Sequence, residues 1–213
     1  PVYEEATFRI ANNVAEDTYA QNGASYDLNG YNESHGWHYF GYATSTASQY
    51  NAYWRWALDN GQNGATGGIA IPPGAIITEA YVTIRSDYSN SGAFTAAFQA
   101  LSTDDKWETS NGFDTVNYAN GTALNDIPRQ GTPVDWGFTD GWSNGMWYRG
   151  PDISGLLQVR VDDADYDPVH SENRYLGLIL YWVPDSGTYY RAGTQEPDDD
   201  TYTAELHVKW INP

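Results

Sequence analysis

From Thr203 to Ile211 the chain alternates strictly, with Ala204, Leu206, Val208 and Trp210 on one side and Thr203, Glu205, His207 and Lys209 on the other. A period of two predicts a strand with one buried face and one wet face. Ala80, Val82 and Ile84 alternate with Tyr81, Thr83 and Arg85 in the same way. Phe94, Ala96, Phe98 and Ala100 repeat the pattern after a turn at Ser89–Gly92. Tyr50, Ala52, Trp54 and Trp56 form another inward-facing series, and Phe8 and Ile10 mark an N-terminal strand. Gly177–Val183 is apolar on both sides, which suits a central strand covered on both faces.

One segment has helical spacing. Pro151-Asp152 opens it, and Ile153, Leu156 and Leu157 follow at i, i+3 and i+4, predicting a helix of two or three turns over about 151–159. Two stretches, Gln21–Ser48 and Asp104–Arg149, are rich in turn residues and weakly periodic. Both read as long loops, either functional or packed by their own aromatics.

Composition supports the strand reading. Leu, Met, Glu and Lys together number 22 of 213 residues, so good helix formers are scarce, whereas Tyr (18), Trp (9) and Phe (6) are plentiful. Short strands separated by Gly, Asn and Asp predict an all-β fold, an antiparallel sandwich or barrel. No repeat, linker or low-complexity block divides the chain, so residues 1–213 are expected to form one β-sandwich domain.

Charge narrows the partners. Ten Lys and Arg stand against 28 Asp and Glu, for a net charge of −18. Phosphate backbones and anionic lipids need clustered cations, so neither nucleic acid nor a membrane surface is an expected partner. No apolar run approaches ~20 residues, the length that spans a bilayer as a helix. Nineteen of the acids are Asp, which with 16 Asn and 21 Gly is what a turn-rich chain uses. Without cysteine there is neither a disulfide framework nor a thiolate metal site.

Several motifs in order resemble a known family. Ile71-Pro72-Pro73-Gly74-Ala75-Ile76-Ile77 followed by Ala80-Tyr81-Val82-Thr83-Ile84 is similar to the signature of DNRLRE-type domains. The aromatic strand Tyr53-Trp54-Arg55-Trp56 precedes it. Further on, Val134-Asp135-Trp136, Trp142 and Pro151-Asp152-Ile153-Ser154-Gly155-Leu156-Leu157-Gln158 resemble a tryptophan pair and the helix after it. The Asp59–Gly68 segment departs from the pattern by lengthening the connection to Ile71. The resemblance implies a carbohydrate-binding-module-like jelly-roll sandwich, non-catalytic as a rule, of the kind found in tailed-phage virion proteins and bacterial surface proteins. Physically, two prolines preset φ and Gly74 can take φ > 0, so this segment turns the chain into a strand.

Candidate chemistry is sparse. His35 and His38 are three apart in a Gly- and Asn-rich stretch, and His170 and His207 are singletons. Asp163, Asp165 and Asp167 alternate as oxygen ligands of calcium do. Pro168 replaces the loop glycine and Arg174 the closing acid, so an EF-hand-like loop fails and only an irregular calcium site, with Glu172 in a different wrap, is left as a candidate. Asp198-Asp199-Asp200 reads as a solvated hairpin tip. No nucleophile elbow and no phosphate loop occurs, so an enzyme is not expected, a glycan-cleaving one being the weakest reading. Trp37, Tyr39, Trp142, Trp147 and Tyr148 fall in the expected loops, where rings can stack on a sugar or a partner subunit.

The leading functional expectation is a structural subunit of a phage virion, capsid-decorating or tail-associated. It would act through protein contacts with other virion proteins and with copies of itself, in a homo-oligomer, a trimer first. No cofactor is required, with calcium the one candidate. The Pro1-Val2 start and the absence of cysteine fit manufacture in a reducing cytoplasm. The alternative is a secreted or surface-displayed carbohydrate-binding module using exposed Trp and Tyr platforms.

Overall fold

The computed structural model describes residues 2–10, 17–22, 37–43, 48–58, 70–90, 92–102, 127–139, 141–168, 174–183, 189–193 and 203–213. Among these residues it forms an all-β sandwich of two antiparallel sheets with one short helix. The strands are β1 (Tyr3–Arg9), β2 (Asp17–Asn22), β3 (Trp37–Ala43), β4 (Ser48–Ala57), β5 (Ile76–Arg85), β6 (Phe94–Leu101), β7 (Arg129–Phe138), β8 (Trp147–Arg149), β9 (Tyr175–Trp182), β10 (Tyr189–Gly193) and β11 (Glu205–Ile211), with helix α1 (Ser154–Val161) before β9. One sheet runs β1-β11-β5-β8. The other runs β10-β3-β4-β9-β6-β7, with β2 also paired to β4.

The alternating segments form strands and bury the faces they should. Ala80, Val82 and Ile84 of β5 and Leu206, Val208 and Trp210 of β11 face inward, against Ala52, Trp54 and Trp56 of β4 and Leu176, Leu178 and Leu180 of β9. β9 lies between β4 and β6, so its unbroken apolar run is covered as a central strand. A buried hydrogen bond from Trp56 Nε1 to the Ala204 carbonyl, 3.1 Å, ties the two layers together.

The Pro-Pro-Gly segment turns as its residues require. Ala75 N donates to the Pro72 carbonyl at 3.1 Å, and Gly74 sits at φ +72°, the left-handed region open to glycine. α1 docks against β5. Asp152 Oδ1 accepts from Ser154 N and Ala80 N, and Gln158 accepts from Ile77 N while donating to the Ala75 carbonyl.

Two expectations need correction. The stretches 21–48 and 104–149 are not simply loops: the first contains β3, the second β7 and β8. In β7, Val134, Trp136 and Phe138 do alternate, but Gly131 and Pro133 give a turn signal that hides them. The structure accommodates both residues in a register break opposite β6, where Phe98 pairs with Val134 and Ala100 with Gln130. β3 is masked in the same way by Gly41, which takes φ 113° inside the strand. The helix occupies 154–161 instead of about 151–159.

Candidate binding face

Every outward side chain of the β1-β11-β5-β8 sheet is polar, charged or aromatic over three successive cross-strand rows. Register builds the rows. Glu5 lies opposite Lys209, which lies opposite Glu79. Thr7, His207 and Tyr81 form the next row. Arg9, Glu205, Thr83 and Arg149 form the third, and Arg85 opposite Trp147 follows at the end of β5. The signs of the charged rows are opposite: minus-plus-minus, then plus-minus and, past Thr83, plus.

The groups interlock. Arg9 pairs with Glu205 at 2.8 Å, and Glu79 accepts from Arg149 at 2.6 Å and pairs with Lys209 at 2.9 Å. The Arg149 guanidinium lies 3.7 Å over the Tyr81 ring, whose other neighbour is the His207 ring, stacked with centroids 4.7 Å apart. Thr7 Oγ1 is 2.9 Å from His207 Nδ1 and Thr83 Oγ1 is 3.0 Å from Nε2. A neutral imidazole satisfies both, donating to one hydroxyl and accepting from the other. Two adjoining depressions of about 280 and 650 Å³ run across the face, sharing Tyr81 and His207. Trp147, 43% exposed, lines the larger one.

The electrostatics follow from these contacts. Hydrogen bonds from Lys209 and then Arg149 hold the Glu79 carboxyl below its ordinary range, and Glu79 in turn raises Lys209. Burial pushes His207 below 6.5, and this outweighs the nearby Glu205 carboxylate. An unfolded chain therefore binds more protons than the folded one just below pH 6.5, so stability should fall as pH drops through that window. Urea unfolding of the parent and of His207→Gln between pH 7.5 and 5 checks this: the variant is expected to lose part of the slope. Identical slopes would remove His207 as the cause.

The aromatic residues expected as loop contacts divide. Trp147 stands on the face. Tyr148, on the same strand, is half-buried, and its hydroxyl accepts from Ser143 N at 2.7 Å. Trp142 is 3% exposed and belongs to the core, packed edge-on against Phe40 at 5.4 Å and beside Phe138 and Tyr148. It is not a platform, because inward-facing Phe40 and Phe138 supply an apolar bed for it. Trp37 and Tyr39 lie in β3, not in a loop, and Tyr39 packs on Tyr50 at 5.3 Å.

The acidic segment after α1 holds itself together. Asp163 accepts from Asp165 N and faces the buried Arg160 at 3.8 Å. Among the described residues no three His, Asp or Glu side chains are grouped to hold a metal ion, and Glu172 lies outside them. His35, His170 and Asp198–Asp200 also lie outside the described residues. Among the described residues no helix is long and apolar enough to cross a membrane.

Sequence reasoning left most of this face unassigned, since its residues are simply the wet side of three strands. One partial signal was available: Arg9, Arg85 and Lys209 sit in or beside the wet sides of alternating segments, whereas Arg149 lies in a stretch read as a loop. Comparison with models of known protein families gives no match, and comparison with curated proteins gives none either.

Proposed function

We propose that the chain is a non-catalytic structural and binding module that works through protein–protein contacts, with the outer face of the β1-β11-β5-β8 sheet as its working surface. The observation that carries this is the patterned face itself: opposed charge rows around a Tyr81–His207 stack, with Trp147 exposed at one end. A rigid sheet holds such a surface in place with little backbone ordering on binding. The resemblance carried by Ile71–Ile84 and Pro151–Gln158 extends the reading to jelly-roll connectivity and to a phage virion subunit, capsid-decorating or tail-associated, meeting copies of itself and other virion proteins.

Light scattering across a concentration series tests the reading, with and without EDTA. A defined assembly is the expected result, and its dissociation by EDTA would support the calcium expectation. A chain that stays monomeric at tens of micromolar would overturn self-assembly.

Trp147 favours a second reading, a glycan-binding module. Its ring lines the same depression as Arg149, Glu205 and Thr83, so an apolar plane stands beside donors and acceptors, as a sugar ring requires. Affinity electrophoresis on polysaccharide gels would then show retardation that Trp147→Ala abolishes. Equal retardation of parent and variant would overturn that reading.

A further inference from the structure

The charge rows of the outer face are complementary to each other, and this specifies an occupant. Consider a second copy turned 180° about an axis lying in the face along the Thr7–His207–Tyr81 row. Strands then oppose their own equivalents, and the two outer rows exchange places. Glu5 comes over Arg9, Lys209 over Glu205, and Glu79 over the Thr83–Arg149 pair, each contact occurring twice. The same operation sets Ile76, 57% exposed at the start of β5, over Arg85 of the other copy, beside Trp147. An axis along β11 instead would put Lys209 on Lys209, Glu205 on Glu205 and Glu5 on Glu79. The pattern therefore selects one twofold arrangement and opposes the other.

We propose that a second copy of this chain seats on the face in that arrangement, as an isologous contact. This rests on the reading of the chain as an assembling module and names the surface. At −18 the chain as a whole repels itself, so copies can approach only where cations collect. Arg9, Arg85, Arg149 and Lys209 collect here against Glu5, Glu79 and Glu205. Desolvation is tempered because Arg9, Glu205, Glu79, Lys209 and Arg149 already have opposite partners within their own copy. Face-to-face sheets pack with strands about 30° apart, so the match is closest in the rows beside the axis and loosens toward Ile76 and Trp147. The contact is twofold, so the assembly it builds is a dimer or a multiple of two rather than the trimer expected first from the sequence.

Two charge reversals test it, each read by sedimentation velocity alone and mixed. Lys209→Glu places a carboxylate over Glu205 of the other copy, and Glu205→Lys places an ammonium over Lys209. Each variant alone is expected to dimerise about tenfold or more weaker than the parent. The equimolar mixture restores both opposite-charge contacts and is expected to recover dimer. Near-ultraviolet circular dichroism establishes that both variants are folded. Single variants that dimerise like the parent, or folded variants whose mixture stays monomeric, would overturn the proposal. If the parent still assembles in either case, the assembling-module reading stands and only this face is lost. A parent that is monomeric throughout overturns both.

Discussion

Replacing Trp56 by alanine is expected to destabilise the fold by about 3–5 kcal/mol. Trp56 is fully buried on β4, packs near Trp54 at 6.5 Å and spans the two layers through its bond to the Ala204 carbonyl. Truncation removes a large apolar surface, opens a cavity and strips a buried acceptor of its donor. For a domain of this size each kcal/mol lowers the melting temperature by about 2–4 °C, so a drop of roughly 6–20 °C should appear in a thermal scan. Trp56→Phe separates the contributions. It keeps most of the apolar volume and loses the N–H, and it should cost clearly less than the alanine variant. If the two variants melt together, the hydrogen bond between the layers dominates and the packing account is wrong.

The second large effect is expected at Gly131. This residue sits at φ +75° in the register break of β7, and a Cβ there would lie 2.8 Å from the Leu156 Cδ2 of α1. A left-handed residue with a side chain costs about 1–2 kcal/mol, and overpacking adds about 1–3 because Leu156 is itself enclosed. Gly131→Ala should therefore lose about 2–5 kcal/mol in urea unfolding. Two companions resolve the causes. Gly74 has φ +72° with open space around its Cβ position, so Gly74→Ala carries the backbone cost alone. Gly137 lies in the same strand without either constraint, and its alanine variant should be close to neutral. A Gly131→Ala protein as stable as Gly137→Ala would mean that β7 and α1 can part without penalty.

Where the chain alternates cleanly, the sequence was sufficient. Residues 80–84, 94–100 and 204–210 read as strands and bury the side expected of them, because period two leaves one solution for which face is dry. β3 and β7 were lost to Gly41, Gly131 and Pro133, whose local turn chemistry speaks louder than the alternation around them. The binding face was illegible for a different reason. Thr7 meets His207, and Glu79 meets Lys209, through pairings across most of the chain's length, and no local pattern carries a register. Trp142 and Trp147 illustrate the same limit: five residues apart and equally aromatic, one is core and one surface. The difference lies in Phe40 and Phe138, which fold brings to the first and not to the second.

The register break in β7 has a consequence for growth. Among the described residues β7 ends the strand order of its sheet, where an incoming chain could copy the ladder and extend it. Pro133 offers no N–H there, and Gly131 turns the backbone out of the extended course between the two paired stretches. A template with a missing rung and a bend cannot seed an endless ribbon on that side. Polymerisation by edge addition is thus blocked at β7, and an increase in fibril formation on restoring a regular edge is the behaviour that this strand guards against.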